Sequence, residues 1–495
     1  MYRVNHLIGG EAVDTSCEES AIFNPSTSRQ IGTVLHGGVA EVDSAVAAAG
    51  AAFKTWSQTG LQYRADLMLK VRELLVQRQA ELVDLVMTEA GKTRDDAAAE
   101  VGKGLEILAY TAGIGTWYGT GLTRNIASGV DTYDARYPIG VIAAVSPFNF
   151  PVMIPVIQSA MAIACGNTVV VKPSEKVPSA FRLIADIFLT AGLPKGVLNV
   201  VNGGRIVVER FTEHPDIAGV TFVGSTAVAK KVRVAGVMND KRVQAFGGGK
   251  NHMIVLPDAD LDVAADAAVS AAYGAAGQRC MAISVVVAVG GIGDQFVAKI
   301  KSRISSIVIG SVHDDDVQLG PVISQESMSK INAFISVAEQ EGAFLAVDGR
   351  ELNRTCDGWL VGASLVDHVR PGMSIYENEV FGPVLSVVRA ETFDEAMNVA
   401  NQHSMGNGAA IFTRDGAAAR QYVDGIEAGM VGVNIPIPVP AFMHSFGGWK
   451  DSAFTETKLF GPQSLTFLTR IKAVVTRWPD PAKSSVNLGF LQNKS

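Results

Sequence analysis

The stretch Gly274-Ala275-Ala276-Gly277-Gln278-Arg279-Cys280 has the residue types for covalent chemistry: a run of small side chains ending in a cation and a thiol. A thiolate is a strong nucleophile, and a neighbouring cation or backbone N–H favours it over the thiol. The small residues upstream permit close approach of a ligand to the backbone. The local sequence alone also allows Cys280 to be a small buried hydrophobe in a packed turn. Four other stretches carry groups that could serve such a nucleophile. Asn149, in Ser146-Pro147-Phe148-Asn149-Phe150-Pro151, either donates its amide to a developing oxyanion or caps a helix beginning at Pro151. Lys172-Pro173-Ser174-Glu175 offers a carboxylate for ribose hydroxyls and an ammonium for a hydroxyl or phosphate. Ser225, in Phe222-Val223-Gly224-Ser225-Thr226, opens a helix whose N-terminus suits a pyrophosphate. Glu379, in Glu379-Val380-Phe381-Gly382-Pro383, either holds a ribose or is a solvated loop residue. Taken singly, the Lys172 and Ser225 stretches are also ordinary strand-to-helix caps.

The elements that must place these groups follow from hydrophobic periodicity. From 140 to 257, strands at Val141–Val145, Thr168–Lys172, Leu198–Val201, Gly219–Val223, Val243–Phe246 and Met253–Leu256 alternate with helices near 151–164, 178–192, 205–213 and 226–237. This rhythm predicts a parallel, doubly wound sheet, with a ligand crevice at the carboxyl ends of its strands. A second alternating region begins near 259, with strands at Ser284–Val289, Val384–Val388, Ala409–Phe412 and Met430–Val433. The fold class expected is therefore α/β, two doubly wound domains meeting near residue 248. Upstream, residues 7–35 read as a short antiparallel arm, and one long amphipathic helix is predicted over Tyr63–Thr88. The tail after Trp478 is polar and reads as a loose surface segment.

Bulk properties narrow the function classes. The chain has 495 residues, 48% hydrophobic and 18% charged, with net charge −7. That describes a multi-domain globular protein, and the absence of a basic stripe argues against nucleic acid as a partner. The four cysteines, Cys17, Cys165, Cys280 and Cys356, form no CxxC pair, which suits a reducing compartment and argues against a zinc site. Asp314-Asp315-Asp316 lacks calcium-loop spacing and reads as a solvated turn. No charge interrupts Tyr137 to Val171, but Pro147, Pro151 and Pro155 do, so this segment reads as strand, turn, helix and strand rather than a membrane span. Met1-Tyr2-Arg3-Val4-Asn5-His6 has no apolar signal segment, and a cytoplasmic location is expected.

Together, Pro147-Phe148-Asn149-Phe150-Pro151, Lys172-Pro173-Ser174-Glu175, Phe222-Val223-Gly224-Ser225, Gly277-Gln278-Arg279-Cys280 and Glu379-Val380-Phe381-Gly382-Pro383 resemble the aldehyde dehydrogenase superfamily in order and approximate spacing. The resemblance runs to about Trp478. It implies a Rossmann-like cofactor domain (1–121 and 138–248) and a catalytic domain (249–445). It also implies a β-ribbon oligomerisation arm (122–137 and 462–478), followed by the tail 479–495. It makes Cys280 the nucleophile, with Asn149 and the Cys280 backbone N–H as the oxyanion hole. Ser146, Phe148, Lys172, Glu175, Lys176, Ser225, Gly247 and Glu379 become the NAD-binding set, with no metal. A carboxylate at Glu175 repels a 2′-phosphate, which favours NAD over NADP. A homodimer or homotetramer is expected.

One departure defines the reaction. Hydrolytic members of the superfamily carry a glutamate four residues before the lysine that stands here as Lys250; this chain has Phe246 there. Phenylalanine cannot activate water. A thioacyl enzyme on Cys280 is then expected to pass its acyl group to coenzyme A. The chain resembles the CoA-acylating methylmalonate-semialdehyde branch at Arg242-Val243-Gln244-Ala245, Lys250-Asn251-His252, Ala272 to Ala282, Pro436 to Pro440 and Phe446 to Lys450. That branch holds its substrate carboxylate with two arginines. One corresponds to Arg279; the other position is Lys103, which keeps the charge but not a bidentate fork. The implied reaction is NAD-dependent oxidation of methylmalonate or malonate semialdehyde, with loss of CO2, to propionyl-CoA or acetyl-CoA. The alternative is a hydrolytic aldehyde dehydrogenase releasing a free acid.

Overall fold

The computed structural model describes residues 1–14, 18–351, 356–478 and 482; Cys17 and nearly all of the tail lie outside them. Two sheets carry the site. The first has eight strands in the order Ala453–Phe454, Arg242–Phe246, Ile217–Val223, Val141–Val145, Thr168–Lys172, Leu198–Val200, His6–Ile8 and Glu11–Val13. Its five central strands are parallel, and the outer strands at both edges are antiparallel. The chain leaves Val141–Val145 for Thr168–Lys172 on one side, then returns to Ile217–Val223 on the other. The strand order reverses there, which is where an open α/β sheet forms its crevice.

The second sheet runs Phe344–Val347, Ser364–Asp367, Val384–Ala390, Ile283–Val289, Asn251–Val255, Gly408–Phe412 and Met430–Val433, parallel except at the first strand. A third sheet, antiparallel, pairs Thr469–Arg477, Val130–Pro138 and Leu122–Ala127 as a ribbon. The parallel strands are apolar because both faces are covered: every residue of Val141–Val145, Thr168–Lys172 and Asn251–Val255 is buried. The uncharged stretch resolves into the strand Val141–Val145, the buried helix Met153–Ala164 and the strand Thr168–Lys172.

Three sequence expectations change. The long amphipathic helix is two, Leu61–Gln77 and Gln79–Ala90, broken at Arg78 with φ −104° and ψ 12°. The polar run Gln77-Arg78-Gln79 tolerates the bend, which lets Leu67, Val71 and Leu75 on one side and Leu82, Val83 and Val86 on the other enter the same core. The N-terminal segment is not one arm. His6–Ile8 and Glu11–Val13 extend the first sheet, while Glu19–Asn24, Arg29–Leu35 and Tyr2–Val4 form a separate small sheet. Within 462–478 only Thr469–Arg477 is ribbon; Pro462–Leu468 is a helix with proline in its first turn. No helix among the described residues is long and apolar enough to cross a membrane.

Candidate active site

A cavity of about 740 Å³ opens at the switch point of the first sheet. Its wall is built from strand ends: Val145 to Phe150, Lys172, Ser174 to Lys176, Phe222 to Ser225, and Gly247 with Gly248. Cys280, Glu379, Arg205, Lys231 and Lys330 also line it.

Cys280 follows a tight left-handed turn. Ala275, Ala276 and Gly277 have φ of 51°, 53° and 69°. A Cβ at Gly277 would lie 2.1 Å from the Gly382 carbonyl oxygen, so the position excludes any side chain. The turn is held where Asp96 accepts the Ala275 N–H at 2.9 Å. The Cys280 carbonyl accepts the amides of Asn251 at 2.9 Å and Asn407 at 2.8 Å. Asn251 also donates to Ala282 and accepts from Gly408 N–H. The Cys280 loop is thus bolted to the strand Asn251–Val255 and to Asn407, the residue before the strand Gly408–Phe412.

Burial and the Glu379 carboxylate push the Cys280 thiol up to about 12. The N–H groups of Cys280 and Met281 and the Lys92 ammonium act in the opposite sense. Asn149 is buried, and its amide donates to the Gln278 carbonyl at 2.9 Å, two residues from the thiol. It does not cap a helix: the helix begins at Met153, with Val152 as its N-cap. Glu379 accepts the Gly249 N–H at 2.9 Å and lies across Gly248, where an added Cβ would meet its carboxylate at 1.9 Å. Burial raises its carboxyl above the ordinary range, against the Gly249 N–H and the Lys250 and Lys330 charges.

The cavity fits a dinucleotide. Lys172 and Glu175 pair at 2.9 Å on its floor. Burial opposes ionisation of Glu175, but Lys172, a backbone N–H and Lys176 together hold its carboxyl below the usual value. Ser225 is the N-cap of the helix Thr226–Met238 and makes no side-chain capping bond, so its hydroxyl and the helix N-terminus face the cavity as an anion seat. Ser146 donates to Gln158 at 2.7 Å, which braces the strand end. Phe148 packs edge-on to Phe381, with the Lys176 ammonium 5.7 Å from its ring centre. Gly247 has no room for a Cβ against Thr226.

The structure brings Cys280, Asn149, Ser146, Phe148, Lys172, Glu175, Lys176, Ser225, Gly247 and Glu379 to one cavity. Arg279 and Lys103 do not line it. Arg279 is ion-paired with Asp96 behind the nucleophile turn. Lys103 is exposed and pairs with Glu106 at 2.7 Å. Phe246 is buried at the end of the strand next to the edge of the first sheet, paired in register with Ala453 of the edge strand, and Gly447 packs against its ring. The sequence reading missed Asn407, Asp96, Glu100 and Lys92. Asn407 stands just before a buried strand, where an amide needs partners; no local pattern singles out the other three.

The match to known proteins covers the same span. Residues 13–474 fit the model of the aldehyde dehydrogenase family. The chain belongs to that family. It is 44% identical over 485 residues to a malonate-semialdehyde dehydrogenase of Pseudomonas aeruginosa, covering 97% of this chain and 98% of that one. The crystal structure of a methylmalonate-semialdehyde dehydrogenase from Oceanimonas doudoroffii superposes with a TM-score of 0.96 at 42% identity, covering 97% and 99% of the two chains. A Sinorhizobium meliloti structure described as a methylmalonate-semialdehyde dehydrogenase complexed with NAD gives 0.95 at 45% identity, covering 98% and 99%. The expected aldehyde dehydrogenase architecture, a Rossmann-like domain, a catalytic α/β domain and a β-ribbon arm, is borne out by these superpositions.

Proposed function

We propose that this aldehyde dehydrogenase oxidises malonate or methylmalonate semialdehyde with NAD, and transfers the acyl group from Cys280 to coenzyme A. The relatives named for these two semialdehydes support the substrate class. One observation carries the choice of acceptor: Phe246 stands at the sequence position, four residues before Lys250, where hydrolytic members carry the water-activating glutamate, and it is buried in packing contacts.

Cys280, once deprotonated, attacks the aldehyde carbon, and the C=O π pair moves onto oxygen. The Asn149 amide and the Cys280 N–H stabilise that alkoxide. The alkoxide collapses to a thioester as the aldehyde hydrogen leaves with its electron pair. Glu379, Glu175, Lys172 and Ser225 would hold the ribose and phosphates of NAD, which when bound would accept that hydride. Loss of CO2 from the malonyl or methylmalonyl thioester, whose carboxylate lies β to the thioester carbonyl, with uptake of one proton by the enolate, leaves an acetyl or propionyl group on Cys280. The coenzyme A thiolate then takes the acyl group and releases the Cys280 thiolate. The resemblance offers Arg279 and Lys103 to the substrate carboxylate, but here Arg279 is ion-paired with Asp96 and Lys103 with Glu106, outside the cavity wall, so neither is assigned that role.

The test is NADH formation from malonate semialdehyde, methylmalonate semialdehyde and propanal, with and without coenzyme A. The expected result is a single burst without coenzyme A and steady turnover with it, fastest for a carboxylated substrate. Sustained turnover unaffected by coenzyme A would establish the hydrolytic reaction instead. Cys280→Ala is expected to bind NAD and give no burst. We also assign a cytoplasmic homodimer or homotetramer joined through the ribbon. The exposed Leu122, Ile126, Ile471 and Val475 on its strands support that assembly, which light scattering measures.

A further inference from the structure

The helix Arg94–Ala112 contributes no residue to the cavity wall, yet one of its faces touches both halves of the chemistry. Asp96 and Glu100 stand four residues apart and so share that face. Asp96 holds the nucleophile turn: one carboxylate oxygen accepts the Ala275 N–H at 2.9 Å, and the other pairs with Arg279, the residue before Cys280. Glu100 holds the oxyanion segment: Oε1 accepts the Val152 and Met153 N–H groups at 2.8 and 3.1 Å, three and four residues after Asn149. Its other oxygen binds the Lys92 ammonium at 2.6 Å, and that ammonium also sits 4.1 Å from the Phe150 ring centre. The Lys92 and Glu100 side chains are 5% and 1% exposed. Further along the same helix Gly104 allows close packing, since a Cβ there would lie 3.1 Å from Val152.

A buried ion pair is a poor stabiliser, because desolvating two charges offsets most of their attraction. Here the hydrogen bonds and the ring contact that the pair makes beyond itself fall on residues 150–153, next to Asn149. Lys92 is also the cation whose field reaches the Cys280 thiol. We propose that Asp96 and Glu100 are positioning residues that fix the Cys280 loop and the Asn149 segment to one rigid helix face and so set the gap between thiol and amide, with Lys92 locking Glu100 and lending its charge to the developing anion. This rests on Cys280 and Asn149 acting as nucleophile and oxyanion donor.

The test uses the full-length enzyme and the variants Glu100→Gln, Lys92→Met/Glu100→Gln, Asp96→Asn, and Lys92→Arg as the charge-conserving control. NAD affinity is expected to stay within twofold in all of them. The burst rate of NADH formation is expected to fall at least tenfold in the first three, equally for propanal and for a carboxylated semialdehyde, and to stay within threefold in Lys92→Arg. Iodoacetamide alkylation of Cys280, mapped by mass spectrometry, is expected to require higher pH in the double variant. The other groups facing the thiol, the Glu379 carboxylate and the N–H groups of Cys280 and Met281, are unchanged there. Burst rates within twofold of the parent in folded Glu100→Gln and Asp96→Asn enzymes would overturn the proposal. So would an Asp96→Asn defect confined to carboxylated substrates, which would make Asp96 a specificity element. If the double variant does not fold, Asp96→Asn carries the measurement. A burst persisting in Cys280→Ala would sink the underlying assignment of the nucleophile, a separate outcome from failure of the positioning role.

Discussion

The surroundings of Cys280 favour the thiol over the thiolate. Burial and the Glu379 carboxylate push it up to about 12, above the range of a free cysteine. Glu379 sits over Gly248 through a single N–H bond from Gly249, a seat that a ribose in the cavity can draw it from. Replacing Glu379 with Gln removes a negative charge from beside the sulfur. Alkylation by iodoacetamide at pH 8 should then run several-fold faster in the enzyme without NAD, while NAD binds more weakly; an unchanged alkylation profile would show that Glu379 does not control the thiol. The other residue with a decisive identity is Phe246. Phe246→Glu places a carboxyl group at the position where hydrolytic members carry theirs, at a cost of several kcal/mol for burying its charge. NADH formation without coenzyme A should change from a single burst to continuous turnover, detectable in a stopped-flow trace extended to minutes.

The elements decide how these side chains meet. The turn 274–277 places two alanines in the left-handed region, each disfavoured by about 1–2 kcal/mol. That strain is held by Asp96 on one side and by the Gly382 backbone on the other. Gly277→Ala would drive a methyl group into the Gly382 carbonyl, which belongs to the Glu379 loop. It should destabilise the fold by about 2 kcal/mol. It should also slow acylation by about 100-fold by displacing Cys280, since ångström-scale misplacement of a reacting group has effects of that size. Thermal unfolding and burst kinetics measure the two separately. The strands themselves are less sensitive: their buried valines and alanines form a continuous apolar layer in which similar residues substitute for one another.

At the scale of the whole molecule, the second sheet carries a buried polar cluster behind the Glu379 loop. Lys250 donates to the Ile375 and Asn378 carbonyls at 2.6 and 3.0 Å. His252 lies between the Lys250 carbonyl and the Tyr376 hydroxyl, and His403 contacts both rings. Burial, reinforced by His403, lowers His252 to about 3, while Lys250 is held near 8 by burial against the pull of Glu379 and Glu377. His252 is therefore neutral in the fold and protonated in the unfolded chain between pH 3 and 6.5. The unfolded state binds more protons in that window, so stability rises with pH across it and is lost on acidification. His252→Gln keeps the hydrogen bonding and removes the titration. Its unfolding midpoint should fall less between pH 6.5 and 4 than that of the parent, as followed by denaturant titration at each pH.

Much of this protein is written locally. The parallel strands are legible because a strand buried on both faces must be apolar throughout, and Val141–Val145 and Thr168–Lys172 show it. Cys280, Asn149, Lys172, Ser225 and Glu379 stand in short motifs at strand ends, and the resemblance of those motifs, taken together, to the aldehyde dehydrogenase family is what points to a thiol-based oxidation. Phe246 is legible as an absence, because a missing carboxylate is a fact of sequence. The break at Arg78 was not legible: both flanking helices have the same period, and only the shape of the core decides where the chain bends. Nor does sequence reveal that Asp96 and Glu100, roughly 180 and 50 residues from their partners, join the two loops of the site. Their contacts fall on backbone N–H groups, which every residue but proline has, so nothing in the partner's identity marks them. The chemistry was fixed by side chains within short motifs; the distance between thiol and amide was decided by a helix that the motifs do not contain.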